Sequence, residues 1–306
     1  MNPVTVSYAP HIHNHASTSH IMRDVLIALS PALAGSVLIF GMRAAVVIFM
    51  CVASAVVFEW GYQKIMKKQE TISDLSACVT GLLLAFNLPV DIPLWQAVFG
   101  SGVAIILVKQ FFGGIGKNFA NPALTARVVM LISFPTAMST WAEVPNAVSS
   151  ATPLELVQTG ALQYMPSNLD LFLGLHGGSL GETSELALII GGVYLIARRV
   201  ITWHIPVSFI GTVYILTAIL GEQPTVQLLA GGLFIGAIFM ATDYPTSPQT
   251  NSGRLIFGLG CGLLTVIIRV WGNYPEGVSF AILFMNCIVP FINKLTMHHA
   301  LGGKKA

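Results

Sequence analysis

The sequence predicts an all-α integral membrane protein, with about ten transmembrane helices in two inverted five-helix repeats. Three observations carry that prediction. Hydrophobic residues fill 54% of the 306 positions and charged ones only 9%, against roughly 25% charged in soluble domains. Apolar runs of membrane-spanning length recur from one end of the chain to the other. The first half of the sequence also returns, weakly, in the second.

A hydrocarbon core about 30 Å thick takes about 20 helical residues. Runs at 24–41, 44–62, 94–112, 121–138, 184–200, 204–220, 225–242, 254–272 and 277–295 meet or approach that length. A tenth run, 75–88, is shorter and ends at Leu88-Pro89. The chain therefore divides into a polar N-terminal tail (1–23), a first membrane repeat (24–138), a loop (139–183), a second membrane repeat (184–295) and a short tail (296–306). Residues 1–20 are polar and histidine-rich and lack the compact apolar stretch of a cleavable leader. The first span is therefore expected to direct targeting.

Charge sets the expected orientation. With ten alternating spans, Arg23, the Lys64/Lys67/Lys68 cluster, Lys109, Lys117, Arg198, Arg199, Arg254 and Lys304-Lys305 all fall on one side. Lys and Arg concentrate on the cytoplasmic side, so both termini are predicted inside. The 139–183 loop, with four acidic residues and no Lys or Arg, is predicted outside a bacterial or archaeal cytoplasmic membrane. A net charge of +2 argues against a nucleic-acid partner, because the basic residues are accounted for by topology.

The internal repeat has a nearly fixed offset of 156–160 residues. GLLLAFNLPVDIP (81–93) lines up with GAIFMATDYPTSP (236–248), and VKQFFGG (108–114) with IRVWGNY (268–274), Lys109 falling opposite Arg269. Halves of five spans must have opposite orientations. Inverted repeats of this kind meet near the bilayer midplane through interrupted helices. Pro89 and Pro245, beside Asn87 and Thr242-Asp243, mark the expected interruptions.

Charged residues inside apolar runs are costly and point to function. Arg127 is the foremost case, in NPALTARVVMLISFP, after the polar break GGIGKNFANPAL with Lys117, Asn118 and Asn121. A helix starting there presents backbone N–H groups to an anion or a polar ring. The same residues also suit a plain helix start with Arg127 paired to a carboxylate, and spacing alone does not choose. Asp243 is similar, with Arg254 as a potential partner. Cys51, Cys78, Cys261 and Cys287 lie in apolar runs without a C-x-x-C pair, which fits small core residues better than a disulfide or iron–sulfur framework. The tail histidines lack fixed metal-binding geometry, and His176 and His204 stand alone. GGSLGETSE reads as a turn into a helix capped by Thr183 or Ser184, with Glu182 or Glu185 at its dipole's positive end. No nucleophile elbow, phosphate loop, dinucleotide fingerprint or zinc signature is present.

In NAVSSATPLELV (146–157), Thr152 makes a good N-cap, Pro153 suits the first helical position and Glu155 completes a capping box. From the helices alone, a stand-alone inverted-repeat transporter or channel is as good a reading as any.

GGIGKNFANPALTARVVMLISFPTAMSTW, GSLGETSELALIIGGVYLIARRVITWHIPVS and FMATDYPTSPQTNSGRLIFG, followed by IRVWGNYPEGVSFAILFMNCIVPFI, resemble the NQR2/RnfD family of membrane subunits. That family comprises D subunits of Rnf ferredoxin:NAD oxidoreductase complexes and B subunits of sodium-translocating NADH:quinone reductases. The resemblance runs from about residue 20 to 295, and the short N-terminal tail favours the Rnf branch. It implies a subunit of an ion-translocating oxidoreductase that is not catalytic alone. Such a subunit carries electrons through covalent FMN while the complex moves Na⁺ or H⁺ across the bilayer. It further implies the other Rnf subunits (A, B, C, E and G) as partners, a flavin transferase during maturation, and room for a second, noncovalent flavin (riboflavin). The family's attachment motif, Asp-x-x-Ser/Thr-Gly/Ser-Ala-Thr, falls on Asn146, Ser149, Ser150, Ala151 and Thr152. Asn146 stands where the motif is acidic and Ser150 where glycine is common. The resemblance makes Thr152 the phosphoester-bearing residue, with Ser149, Ser150 and Ala151 around it. Lys117, Asn118, Asn121 and Arg127 are expected to help position a flavin or a conducting path.

Overall fold

The computed structural model describes residues 17–141, 151–182, 184–272 and 277–297. Asn146, Ser149, Ser150, Thr183, the tail before Ser17 and the basic residues after Met297 lie outside the described residues. Among those described, every regular element is helical. Four helices are long and apolar enough to cross a membrane: α1 (Thr18–Phe40), α2 (Met42–Ile65), α13 (Asn251–Trp271) and α14 (Val278–Thr296). Shorter apolar helices are α3 (Ser76–Phe86), α4 (Leu94–Gly102, continued to Gln110 as a π-helix), α5 (Pro122–Ser133), α9 (Glu185–Ala197) and α10 (His204–Ile219). Short pieces complete the order: α6 (Pro135–Ser139), α7 (Pro153–Thr159), α8 (Asn168–Leu173), α11 (Pro224–Leu229) and α12 (Leu233–Ile235, continued as π-helix to Met240). The chain is a multi-pass membrane protein.

Local chemistry explains the boundaries. Asn121 caps α5 by accepting from the N–H groups of Ala123 and Leu124 at 3.0 and 3.2 Å, with Pro122 at the first helical position. Pro135 ends α5 by forcing Phe134 out of helical geometry (φ −134°). The run read as one span over 121–138 is therefore two helices. A second correction falls at 225–242, where the expected continuous span breaks between α11 and α12. Ala230 is extended and Gly231 takes φ +69°, a conformation cheap only for glycine. The Leu-Ala-Gly-Gly stretch looks uniformly apolar in sequence, which hides the break.

Large side chains cover the outside. Leu38, Phe49, Phe291 and Leu295 are among the most exposed residues, as expected of a lipid-facing surface. Helices in lipid associate by close packing rather than hydrophobic expulsion, so small residues mark the crossings. A Cβ at Gly191 would collide with the Ala28 carbonyl oxygen where α1 crosses α9, and one at Gly81 would sit 2.8 Å from the Cys51 carbonyl oxygen where α2 crosses α3. Cys51 and Cys261 are buried as expected, Cys78 is half-buried, and Cys287 departs from the core reading by facing outward.

Long-range contacts sort the helix ends into two faces. At one end the Ser19 hydroxyl donates to Ser73 O, Lys68 reaches Gln110 O, Asp24 pairs with Arg198, and Thr250 meets Thr296. At the other, Arg43 donates to Ile92 O, Leu180 N–H to Leu88 O, and Gln158 to Arg269 O. The described basic clusters around Arg23, Lys64–Lys68, Arg198-Arg199 and Arg254 share the first end. Helices α7 and α8 lie at the second.

Candidate functional site

Polar groups inside this bundle gather at three places. The central one is built on Arg127, whose side chain is 5% exposed. Its guanidinium meets Glu182 Oε1 at 3.1 Å and donates to Asn87 Oδ1 at 2.9 Å and Ser279 Oγ at 3.0 Å. These partners come from the end of α3, the start of α14 and the loop before α9, so one side chain ties together segments far apart in sequence. Asn121, one and a half turns earlier on α5, donates to Met240 O at 3.3 Å, and Asn87 also contacts Met240. With its amide in the orientation that satisfies its neighbours, Asn286 accepts from Asn121 N–H and donates to Thr246 O. The two expected helix interruptions, at Asn87 and after Met240, therefore face each other through α5 and α14.

The loop carrying Glu182 is bonded into the first interruption. Leu180 and Gly181 N–H groups donate to Leu88 and Phe86 carbonyls at 3.1 and 2.9 Å, and Ser36 donates its hydroxyl to Leu180 O. A Cβ at Gly181 would strike Phe86, so glycine is what allows that approach. Ser184 caps α9, accepting from Ala187 N–H.

On the basic end a cavity of about 340 Å³ opens among α1, α3 and the 116–122 turn, lined by Ser76, Lys109, Asn118, Asn121 and Asp243 among apolar neighbours. Asn118 donates to Ala120 O. Asp243 accepts from Thr246 and has no bond from Arg254, which donates instead to Pro248 O, Thr202 and Asn251; that expected pair does not form. Lys109, read in sequence as a loop charge, is buried and bonded to Glu59 and Ser76, each at 2.6 Å. Thr71 and Gln63 complete the setting of Glu59. Lys117 lies exposed, its chain folded over Gly113, away from Arg127 and the cavity. Asn118, Asn121 and Arg127 are the members of that predicted group that the fold brings inward.

The third place is at the opposite end. Thr152 is 6% exposed and caps α7, its hydroxyl accepting from Glu155 N–H at 3.2 Å. Ala151 precedes it, half-buried. Leu154 of α7 packs with Leu171, Val226 and Ala230. Beside α7 an open pocket of about 420 Å³ is lined by Leu154, Gln158, Glu222, Gln227, Arg269 and Trp271, among others. Arg269 is buried and donates to Gln227 O, Gln227 Oε1 and Ala230 O at 2.5, 3.3 and 3.0 Å, while its Nε has no partner. Neutral oxygens rather than carboxylates hold this guanidinium, so its charge remains available to the pocket.

Sequence reasoning missed Glu182 as the partner of Arg127, and missed Glu59 and Ser76 around Lys109. A carboxylate inside the α2 apolar run was the available signal for Glu59. Among the described residues no group of three His, Cys, Asp or Glu side chains is placed to hold a metal ion.

Residues 5–302 match the model of the NQR2, RnfD, RnfE family. The chain is 49% identical over 306 residues to the D subunit of the Na⁺-translocating ferredoxin:NAD⁺ oxidoreductase complex of Acetobacterium woodii, covering 99% of this chain and 96% of that one. It is 42% identical to the D subunit of the proton-translocating ferredoxin:NAD⁺ oxidoreductase complex of Clostridium ljungdahlii, with 99% and 98% covered. It is 35% identical to the D subunit of the ion-translocating oxidoreductase complex of Escherichia coli K12, with 98% and 99% covered.

Proposed function

From the premise that this chain belongs to the NQR2, RnfD, RnfE family, we propose that it is the D-type membrane subunit of an Rnf-type ferredoxin:NAD oxidoreductase complex. In this reading the complex couples ferredoxin/NAD electron transfer to Na⁺ or H⁺ movement across a bacterial or archaeal cytoplasmic membrane. Other Rnf subunits (A, B, C, E and G) are its partners. Both termini lie on the cytoplasmic side and the 139–183 loop outside. The described basic clusters at one end and the acidic α7–α8 segment at the other support that orientation. Ten crossings in two inverted halves fit the way α1 pairs with α9 and α5 with α14. Similar relatives are named for sodium and for protons, so likeness alone does not choose the ion.

The proposed cofactor is FMN esterified through its phosphate to Thr152, with maturation by a flavin transferase. The observation that carries this is the placement of Thr152 at the outer end, in a small-residue turn beside the Arg269 pocket. The residues fit the group. The hydroxyl makes a single cap bond, an unpartnered buried guanidinium Nε supplies a donor, and Trp271 supplies an aromatic surface for a planar ring. When bound, the flavin supplies the one-electron chemistry, while the protein supplies position and electrostatics. Thr152 would tether it, Arg269 and Gln227 would bond its polar edge, and Trp271 would cover its face. Ser149 and Ser150 complete the attachment stretch. Flavin fluorescence in a denaturing gel, after co-expression with a flavin transferase, tests the assignment. A band that vanishes in Thr152→Ala supports it, and a band that persists overturns it.

The inner cavity supports a place for a second, noncovalent flavin (riboflavin), with Asn118 and Asn121 as amide partners for its ring. Arg127 lies one layer deeper and holds the two interruptions together.

A further inference from the structure

We propose that Glu185, with His176 and Ser179, forms a binding site for a small monovalent cation, a proton or a sodium ion, in the outer half of the protein. This rests on the reading of the chain as a subunit of an ion-translocating complex.

The argument begins with charge. Glu185 is 1% exposed, and Arg127, Glu182, His176 and Arg269 around it are all buried. Arg127 is committed to Glu182, and Arg269 to the oxygens of Gln227 and Ala230. The charge that acts on Glu185 is that of Glu182, of the same sign. Its Oε2 has no hydrogen-bond partner. Glu185 opens α9, where the helix dipole favours a carboxylate by at most ~2 kcal/mol. Burying an unpaired carboxylate costs several kcal/mol, so the dipole does not cover it. Something positive must neutralise this group.

Two further buried atoms lack partners, and both accept. His176 Nδ1 lies 3.0 Å from Gly177 O, and a carbonyl oxygen only accepts, so Nδ1 carries the hydrogen and Nε2 offers a bare lone pair. Nε2 is buried without a partner, as is Ser179 Oγ. Burial lowers the His176 pKa, which keeps the ring neutral and its lone pair free. Gly178 leaves the space open: the His176 ring and Glu182 Oε2 each lie 3.9 Å from where its Cβ would sit. The absence of a three-residue metal group among the described residues points to a monovalent ion rather than a transition metal. The Arg127–Glu182 pair closes the inward side, toward Asn87.

The test uses membranes holding the assembled complex, treated with dicyclohexylcarbodiimide, which enters lipid and modifies protonated carboxyls. Adducts are mapped by peptide mass spectrometry, with Glu185→Gln confirming the modified peptide. Glu185 is expected to react, at a rate falling about tenfold per pH unit above its titration point. Slowing of the reaction at least several-fold by NaCl, but not by KCl, assigns a sodium site. Equal rates in both salts assign a proton site. No adduct on Glu185 while other intramembrane carboxyls react overturns the proposal. Ion uptake by sealed vesicles is measured on the same preparation. Labelling without uptake sinks the translocation reading, and uptake without labelling sinks this site alone.

Discussion

The Arg127 guanidinium and the Glu182 carboxylate meet at 3.1 Å, with side chains only 6% and 2% exposed, and they join α5 to a loop some fifty residues later. Removing one member of such a pair leaves the other charged in a dry interior, at roughly 3–5 kcal/mol. Arg127→Leu should therefore destabilise the purified protein by that order. Arg127→Leu with Glu182→Leu should recover most of the loss, because a buried pair replaced by apolar residues is often neutral. Thermal unfolding in detergent reads both variants, and a double variant no better than the single one would refute the coupling.

Thr152 carries two separable roles. Losing its cap costs about 1 kcal/mol, which leaves a folded protein. Thr152→Ala should assemble with a slightly lower Tm and no covalent flavin. Thr152→Asn should restore the cap and the Tm while still showing no fluorescent band. A flavin band in the asparagine variant would mean attachment elsewhere.

Orientation can be checked with single cysteines in a cysteine-free background. Gln163→Cys and Asn168→Cys lie at the α7–α8 end, and Lys67→Cys lies at the basic end. An impermeant maleimide added to intact cells should label the first two and spare the third. The reverse pattern would invert the topology.

His176 predicts an acid sensitivity of known sign. Its ordinary pKa is 6.5, and burial lowers it in the folded state. Below about pH 6.5 the unfolded chain takes up this proton before the folded one, so stability falls with acid and is flat above that range. His176→Gln should lose less Tm than the parent between about pH 7 and about pH 5. Identical slopes would show that His176 titrates no differently on folding.

Gly191 sits where α1 and α9 touch backbone to side. Gly191→Val overpacks that crossing, at typically 1–3 kcal/mol, whereas Gly211→Val meets open space. Yields of folded protein by size-exclusion chromatography should fall for the first and hold for the second. Comparable yields would mean that the α1–α9 contact tolerates separation.

Spans were legible because hydropathy is a one-dimensional property, and the interruption at Pro89 because proline leaves a mark in sequence. The Thr152 cap could be read from Thr-Pro-x-Glu spacing, although the structure shows only the Glu155 N–H to Thr152 half of the capping box. The break at Gly231 was not legible, because glycine in an apolar run reads equally as packing. Glu182 was placed as a helix-end carboxylate, and nothing local announces that its partner is Arg127. Pairings across such distances are set by which helices cross. Lys109 was taken at face value as a loop residue, because a sequence does not show the carboxylate that makes burial tolerable. Lys117, in the same polar break as Asn121, turned outward for want of such a partner.

The π-helical close of α4, from Val103 to Gln110, bears on how this gene can change. A π-turn holds about one residue more than an α-turn, and each α-residue advances the chain by about 100°. Deleting any one residue there would let the segment relax to an α-helix and swing everything after it by about that angle. Lys109 would leave Glu59 and turn toward the side where Leu107 faces outward, placing an ammonium against hydrocarbon. Length is thus constrained here more tightly than composition: Val, Ile and Leu can trade places along 103–108, but a codon cannot be lost.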